Sequence, residues 1–356
     1  MTDCSVLLVG EAWGVREELF EHALVGYSGY ELSKMLHQVG MGPETYAHRP
    51  SEYEMMAYWR KARSDFGIAI GNVFNARPRD NQVLEFFGGA KDNVDKTLPP
   101  LRKGKWLLTE HRHHVEDLWK LVTDLSPNLV VAFGNTPMWA LLGTSGIAKL
   151  RGTLARSDRL GVKVLPTYHP AFILRQWNLR PIVLSDLEKA QREMGTKDIT
   201  RIPRTLTIAP TLQEIRQWLN RPADFYAVDI ENKPGILEMV GFARSHDDAM
   251  VIPFFDEHSP GGNYWPTVQE EMEAWRLLDR ALRKPIPKIF QNGVYDLTHL
   301  LRLGLRPAMV QEDTMLLHHS LYPEMLKGLG FLGSIYSDEI AWKTMRGKGM
   351  NFKRDE

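Results

Sequence analysis

Two carboxylates, Asp229 and Glu231, stand two residues apart in the apolar run YAVDIEN. Alternate residues of a strand point to the same face, and two such charges are costly there unless something compensates them. Two divalent metal ions would do so, and they would activate water for phosphodiester cleavage. Downstream, IFQNGVYD places Asn292 and Asp296 four residues apart, on one face of a helix start. The pattern predicts a Mg²⁺ or Mn²⁺ site at Asp229, Glu231 and Asp296; the alternative is a solvated turn beside an unrelated helix start.

A second set of polar residues follows apolar runs in the first half of the chain. Glu11 lies in VGEAWGVRE, Asn72 in GNVFNARP and His169 in TYHPAF. Ligands of open α/β sheets bind beyond the carboxyl ends of the strands, so we expect these three side chains to share one pocket. Each has a structural alternative: Glu11 as an acceptor at a helix start, Asn72 as a turn residue and His169 as a buried structural histidine.

The elements that would position the first-half residues alternate between short apolar strands and helical patterns. This alternation predicts a parallel sheet covered by helices. The expected strands are Val6–Gly10, Phe66–Asn72, Asn128–Phe133 and Val162–Tyr168. The expected helices are Gly29–Val39, Thr109–Leu125, Thr136–Leu142 and Pro181–Met194.

After the basic, proline-containing stretch GTKDITRIPR, the alternation of strands and helices gives way to consecutive strands. Three strands with short connections are expected, then helix, strand and helix, which is the ribonuclease-H-like order. The three strands are Phe225–Ile230, Leu237–Ala243 and Ala249–Pro253. They are followed by the helix Val268–Arg283, the strand Pro287–Gln291 and the helix Val294–Leu303. We therefore expect two domains, 1–195 and 207–356, joined by a linker over 196–206.

Composition narrows the class of protein. Two domains are natural for 356 residues, 43% apolar content suffices for packed cores, and 44 basic residues balance 44 acidic ones. Local basic patches can still bind nucleic acid. With Cys4 alone, a disulfide framework and a cysteine-ligated metal cluster are both excluded. No apolar run is long enough to span a bilayer, so we expect a soluble cytoplasmic protein without membrane partners.

The first half resembles the family-four branch of the uracil-DNA glycosylase superfamily. The resemblance covers residues 5–190 and rests on GEAWG, LVGYSG, GNVFNARP and PTYHPAFILR, in that order. It implies a three-layer α/β domain that flips a base out of DNA. In that family Asn72 would read uracil, His169 would stabilise the uracil anion, and Glu11 would position water or the base.

The same resemblance implies DNA contacts and reveals departures from the family. Phe172, Ile173 and Leu174 would wedge into the base stack, with Arg175 on a phosphate. Leu24, which we expect to contact the base, stands where the family has the phenylalanine that stacks on uracil. This replacement removes a stacking contact worth roughly 1–3 kcal/mol. Trp13 replaces the family's proline. The cysteines of the family's iron–sulfur cluster are absent, so we expect no such cluster.

The second half resembles the DnaQ-like 3′–5′ proofreading exonuclease domain of phage-type family A DNA polymerases. The match covers residues 222–340 and includes EDTMLLHHSLYPEMLKGLGFLGSIYSDE. It implies metal ligands at Asp229, Glu231 and Asp296, and a DNA contact at Asn292. The family's third motif, Tyr-x-x-x-Asp or His-x-x-x-Asp, is missing. The residues four before Asp313, Asp338 and Asp355 are methionine, serine and asparagine.

These observations leave two functional readings. In the first, the chain is the N-terminal part of a phage-type DNA polymerase that binds single-stranded or primer-template DNA, excises uracil and carries a metal-dependent exonuclease domain. In the second, the glycosylase fold is a non-catalytic DNA-binding or processivity module. Its exonuclease domain would then be inactive, or completed by a polymerase chain or another replication protein. For a phage-encoded protein, the cytoplasm would be that of the host.

Overall fold

The structure is a computed structural model that describes residues 4–199, 203–233 and 235–337. It divides into two compact units. The first unit consists of the residues up to Ile199 together with those from Gly330 onward, and the second runs from residue 200 to Leu329. The division near residue 199 falls within the expected linker. The C-terminal residues group with the first unit, whereas the sequence suggested that the second domain continues to residue 356.

The first unit contains seven strands and eight helices before the linker, among its described residues. The strands are Val6–Ala12 (β1), Ile68–Phe74 (β2), Phe87–Gly88 (β3), Trp106–Leu107 (β4), Leu129–Phe133 (β5), Ala155–Arg156 (β6) and Lys163–Thr167 (β7). The helices are Val15–Phe20 (α1), Tyr27–Gln38 (α2), Glu52–Phe66 (α3), Arg112–Leu125 (α4), Asn135–Leu142 (α5), Ile147–Leu150 (α6), Pro170–Ile173 (α7) and Arg180–Glu193 (α8).

The main sheet of the first unit has the order β2-β1-β5-β7-β6, and all of its pairs are parallel except β6 with β7. Successive residues of β1 serve opposite faces: Val6 and Leu8 pack in one core, Leu7 and Val9 in the other. The first core contains residues of α2, α3 and α8, and the second contains residues of α4 and α5. The expected three-layer α/β arrangement is therefore present.

The expected first-half elements are found, with shifts at their ends. Phe66, expected to begin a strand, instead ends α3; Gly67 follows with φ +67° as the left-handed C-cap, and β2 starts at Ile68. Helix α3 itself was not predicted. Its N-terminus carries a capping box in which Ser51 and Glu54 satisfy each other's backbone N–H groups.

The second unit contributes the remaining described strands and all of the remaining α-helices except the last. The strands are Thr205–Thr207 (β8), Tyr226–Lys233 (β9), Ile236–Ala243 (β10), Asp248–Pro253 (β11), Lys288–Phe290 (β12) and Val310–Asp313 (β13). The helices are Leu212–Leu219 (α9), Val268–Arg283 (α10), Gly293–Arg302 (α11), Thr314–Leu321 (α12) and Leu329–Tyr336 (α13), the last of which groups with the first unit from Gly330 onward.

The sheet of the second unit has the order β13-β12-β9-β10-β11-β8. Strands β9, β10 and β11 form an antiparallel meander, β12 runs parallel to β9, and β13 runs parallel to β12. The expected meander, helix, strand and helix are all present. None of the described helices has the length and apolar character needed to cross a bilayer.

Candidate functional site

The predicted pocket residues of the first unit lie at the carboxyl ends of parallel strands of one sheet. Glu11 is near the end of β1, Asn72 is near the end of β2, and His169 follows β7 by two residues. Within the sheet Asn72 is the register partner of Gly10. The parallel pairing therefore brings residues far apart in sequence to one edge.

Gly10 marks the point where two of these side chains meet. A Cβ atom at Gly10 would lie 2.3 Å from Asn72 Oδ1 and 3.7 Å from His169 Nε2. Both polar atoms therefore face the same stretch of backbone. A side chain at Gly10 would displace Asn72, so the absence of one is what lets the amide and the imidazole converge.

The geometry around His169 fixes which ring nitrogen carries a proton. His169 is the N-cap of α7, and the backbone N–H of Ala171 donates to its Nδ1 at 3.1 Å. Burial lowers the pKa of His169 to about 4, and the positive charge of Arg175 acts in the same direction. The imidazole is thus neutral near pH 7. With Nδ1 accepting, its proton sits on Nε2, the nitrogen that faces Gly10.

Glu11 is held by a residue that the sequence did not single out. The hydroxyl of Thr136, in the first turn of α5, donates to Glu11 Oε2 at 2.5 Å. Burial raises the pKa of Glu11, while the Thr136 hydrogen bond and the charges of Arg102 and Arg175 lower it. The carboxylate is therefore oriented on one side and faces two cations on exposed loops.

The predicted DNA-contacting residues separate into exposed and buried members. Leu174 is 44% exposed and Arg175 is also exposed, as expected for contacts with DNA. Phe172 is half-buried against the Tyr168 ring, with 5.4 Å between centroids, and Ile173 is fully buried. A three-residue apolar wedge is therefore not available, because Ile173 is buried and only Leu174 is well exposed.

Leu24 also differs from its expected role. It is 4% exposed, has a φ of +56° and packs in the hydrophobic core. Its side chain has little surface to offer a base.

Trp177 was missed by the sequence reasoning. It lies three residues after Leu174 and is 57% exposed. An aromatic residue just beyond the PAFILR segment was the feature that could have indicated it.

Glu17 is another residue that the sequence reasoning missed. Its Oε1 accepts the backbone N–H of Gly26, the N-cap of α2, at 3.1 Å. A Cβ at Gly14, the N-cap of α1, would lie 2.8 Å from Glu17 Oε2. The carboxylate thus ties α1 to the start of α2, and the glycines of GEAWG and LVGYSG were the available signal.

The predicted carboxylates of the second unit lie in and beside β9. Asp229 and Glu231 are exposed on one side of the strand, with buried Val228 and Ile230 on the other, as the alternation predicted. Asp296, in the first turn of α11, is 4% exposed and accepts the backbone N–H of Ile230 at 3.1 Å.

The surroundings of Asp296 disfavour its ionised form. Burial raises its pKa to about 6; the negative charges of Asp229 and Asp313 also raise it, and the Ile230 hydrogen bond opposes them. Asp313, at the end of β13, accepts the backbone N–H groups of Asn292 and Gly293. Asn292 is the N-cap of α11, with a φ of +59°.

The described residues complete the ligand set of neither metal group that the family resemblances bring into question, the divalent metal site and the iron–sulfur cluster. Among the described residues, no group of three or more His, Cys, Asp or Glu side chains is placed to share one metal ion. The acidic residues offer the oxygen donors that Mg²⁺ prefers, but they do not form a preassembled cage. Iron–sulfur clusters need several thiolates, and the chain has only Cys4, a buried thiol that donates to the Val6 carbonyl.

The first unit is therefore an α/β protein in which an amide and an imidazole converge beside Gly10, and a carboxylate stands on the next residue of β1. A model of the uracil DNA glycosylase superfamily matches residues 2–191. The chain belongs to this superfamily.

Two relatives carry the name type-4 uracil-DNA glycosylase. The protein from Thermotoga maritima is 27% identical over 197 residues, which cover 53% of this chain and 77% of the relative. The protein from Archaeoglobus fulgidus is 25% identical over 203 residues, which cover 55% of this chain and 79% of the relative.

Proposed function

We propose that the first unit excises uracil from DNA. The observation that carries the proposal is the convergence of Asn72 Oδ1 and His169 Nε2 over Gly10. An amide can read the Watson–Crick edge of a flipped base, since it both donates and accepts hydrogen bonds. The superfamily membership and the names of the two relatives support the same activity.

The proposed reaction is hydrolysis of the glycosidic bond. The bond between the sugar C1′ and the base N1 breaks, and its electron pair leaves with the base, so negative charge develops on a base oxygen. His169, neutral and protonated at Nε2, donates a hydrogen bond to that oxygen and stabilises the charge. Water adds to C1′ and loses a proton, which passes through solvent to the released base anion. Glu11, oriented by Thr136, positions this water or the base.

The surroundings of the site fit an anionic polymer. Arg102 and Arg175 are both exposed, and their charges act on Glu11. Phosphate contacts of this kind position DNA without reading its sequence. Leu174 and Trp177 offer exposed apolar surface near Arg175, where an unstacked base step could be filled.

The test is the formation of alkali-labile abasic sites in a uracil-containing single strand. We expect the wild-type chain to form them, and Asn72→Ala or His169→Ala to slow the reaction by about 100-fold or more. His48→Ala and Asn220→Ala, both at exposed positions, are matched controls that should retain the activity. A pure chain that binds DNA but forms no abasic sites would instead support the non-catalytic DNA-binding or processivity module.

We also infer that this activity needs no iron–sulfur cluster, because one thiol cannot supply the ligands. Purified protein should contain no stoichiometric iron by elemental analysis. Stoichiometric iron that survives Cys4→Ser would show that other ligands hold a cluster.

A second candidate function concerns the second unit, which we propose to be a DnaQ-like exonuclease domain of the phage-polymerase type. The antiparallel meander flanked by parallel β12 and β13 supports this proposal, as does the placement of Asp296 beside the strand that bears Asp229 and Glu231. These carboxylates would hold Mg²⁺ or Mn²⁺, which supplies activated water when bound. Asn292 would contact the DNA strand.

This chain alone should bind the metal weakly and degrade single-stranded DNA from the 3′ end slowly or not at all, because the third motif is missing. Degradation should appear when a longer parent chain or a polymerase partner supplies Tyr-x-x-x-Asp, and Asp229→Ala should then abolish it. Brisk degradation by these 356 residues alone would contradict the incomplete-site proposal.

A further inference from the structure

A groove of about 490 Å³ lies on the surface of the second unit, along the C-terminal half of α10. Its lining residues are all charged, and all but one are cations: Arg276, Asp279, Arg280, Arg283 and Lys284. The spacing of the arginines, four residues and then three, puts them on one face of the helix. They stand about 6 and 4.5 Å apart along the helix axis, so one extended polyanion can contact more than one of them. We call the four cations the basic stripe.

The basic stripe faces away from the sheet of the second unit. On the opposite side of α10, Leu277 and Leu278 pack in the same core as Val228 of β9. Asp229 and Glu231 are on the exposed side of β9. The sheet therefore separates the stripe from these carboxylates, and the proposed metal site does not account for it.

Two cations of the stripe are paired with surface carboxylates. Arg283 Nε donates to both carboxylate oxygens of Asp279 at 2.8 Å. Arg276 lies 3.7 Å from Glu273, which Arg216 also contacts, at 3.0 Å. Exposed ion pairs contribute little to stability, so a phosphate group can compete for both arginines of the stripe.

The other two cations of the stripe are not neutralised in this way. Among the described residues, neither Arg280 nor Lys284 has a carboxylate within ion-pair distance. Burial, and then the charge of Arg280, lower the pKa of Lys284. Burial, and then the charge of Lys284, lower the pKa of Lys288 to about 8; this fully buried lysine donates to the Ile286 carbonyl at 2.8 Å. Positive charge thus accumulates at this end of α10, and a bound anion would relieve it.

We propose that the basic stripe binds the phosphate backbone of a nucleic acid strand. Guanidinium groups match the geometry of phosphate oxygens and can contact them through two parallel hydrogen bonds. An acidic protein partner fits less well, because protein interfaces have an apolar core and none of the described residues that line the groove is apolar. Phosphate contacts do not read sequence, so the stripe holds a strand of any sequence. This role needs neither uracil excision nor nuclease activity.

The experiment measures the affinity of the full chain for a strand without uracil. A labelled oligothymidine strand is titrated with the protein, and fluorescence anisotropy gives the binding constant over a range of NaCl concentrations. Each phosphate contact to a single strand contributes about 0.7 to the slope of log K against log salt. Arg276→Ala/Arg280→Ala should therefore reduce the slope by about 1.4 and the affinity by roughly 10- to 30-fold at about 0.1 M salt.

Two further double variants serve as controls. Arg302→Ala/Arg306→Ala removes two exposed arginines of the second unit that lie outside the groove, and it should leave the slope unchanged. Arg276→Lys/Arg280→Lys keeps both charges and should retain most of the slope. Thermal unfolding of each variant checks that the fold is retained. Calorimetric titration with inorganic triphosphate tests for a free polyphosphate as the ligand.

Each outcome decides the proposal. An unchanged slope in Arg276→Ala/Arg280→Ala would overturn it and leave the stripe to an acidic protein surface, or to a free polyphosphate if that variant loses triphosphate binding. An equal fall in Arg302→Ala/Arg306→Ala would assign the effect to net charge and overturn it as well. A fall confined to the stripe variant supports the proposal even if the chain forms no abasic sites, because the strand contains no uracil.

Discussion

At the scale of single residues, His169 acts through its neutral form. An imidazolium would carry its own charge into a buried site, whereas neutral imidazole with Nε2–H can donate to a developing oxyanion without that cost. The Ala171 N–H at Nδ1 enforces this state, because it needs an acceptor there. Protonation of His169 would break this bond.

The pH dependence of excision should reflect this state. The pKa of His169 lies at about 4, below the ordinary 6.5, so the ring is neutral on both sides of pH 6.5. We therefore expect no inflection near pH 6.5, and His169 should lower the rate only as the pH approaches 4. Protonation of Glu11, whose pKa burial raises, should also lower the rate on the acid side. Single-turnover rates across this range test the expectation. An inflection near 6.5 that disappears in His169→Gln would contradict it.

Thr136 positions Glu11 through one hydrogen bond, 125 residues away in sequence. Hydrogen bonds to charged groups contribute about 1.5–3 kcal/mol. Thr136→Val keeps the shape but removes the donor, so it should slow single-turnover excision by roughly 10- to 100-fold, while Thr136→Ser should retain the rate. Equal rates for all three proteins would show that Thr136 has no positioning role.

Asp296 should lower stability when it is ionised. Its pKa is raised from 3.8 to about 6 in the folded chain, so above pH 6 the carboxylate is ionised in both states and folding moves its charge into surroundings that disfavour it. At pH 8 the free energy of unfolding of Asp296→Asn should therefore exceed that of the wild type by roughly 1–3 kcal/mol, measured by denaturant unfolding. This advantage should shrink as the pH falls through 6 toward 3.8. A pH-independent difference would rule out the titration of Asp296 as its cause.

At the scale of elements, the start of α2 depends on the backbone of Leu24. The Leu24 carbonyl accepts the Trp59 indole N–H at 2.9 Å, and it packs against Gly29 in the first turn of α2. A Cβ at Gly29 would lie 1.7 Å from that carbonyl oxygen. Glycine is therefore required here for close backbone approach.

Gly29→Ala should destabilise the first unit by about 3 kcal/mol or more, because backbone must move to make room. Gly195→Ala is the matched control: no atom lies within 4 Å of its added Cβ, so its effect should stay within about 0.5 kcal/mol. Denaturant unfolding of both variants measures the difference. Similar stabilities would mean that the Leu24 loop yields easily.

The same elements indicate what the sequence could and could not predict. Strands β1 and β5 were expected because they contain unbroken apolar runs, and Gly29 was noticed within a motif. Helix α3 was missed because its sequence combines a capping box with apolar and charged residues that do not form a clear apolar stripe. The contact of Thr136 with Glu11 was missed for another reason: it joins segments 125 residues apart, and only the sheet order brings them together. The contact of Glu17 with Gly26 is local, but it depends on how the chain turns between α1 and α2.

At the scale of the whole molecule, the first unit is discontinuous along the chain, since residues from Gly330 onward group with it. Arg151 and Asp186 form a buried ion pair, 2% and 1% exposed, and Arg151 also donates to Ser334 Oγ at 2.8 Å. Lys189 donates to the Ser334 and Ser337 carbonyls at 3.2 and 2.8 Å. A buried polar network thus ties α13 to α8 and to the loop before β6.

Removing one charge of the buried ion pair should destabilise the chain far more than removing both. Asp186→Leu leaves the Arg151 charge buried without its carboxylate and should cost about 3–5 kcal/mol. The double variant Arg151→Met/Asp186→Leu removes both charges and should recover much of that loss. Denaturant unfolding of the full chain measures both. A double variant as unstable as the single one would show that packing, and not the unpaired charge, dominates.

Removing α13 should weaken the first unit even though more than a hundred residues separate it from the linker. A chain that stops after Gly328 deprives Lys189 of two carbonyl acceptors and Arg151 of the Ser334 hydroxyl, in a region that is otherwise buried. Since unsatisfied buried groups cost about 1–3 kcal/mol each, we expect faster amide hydrogen exchange in α8 and β7. A chain that stops after Ser337 keeps these contacts and serves as the control. Equal exchange in the two chains would mean that water replaces the partners that α13 provides.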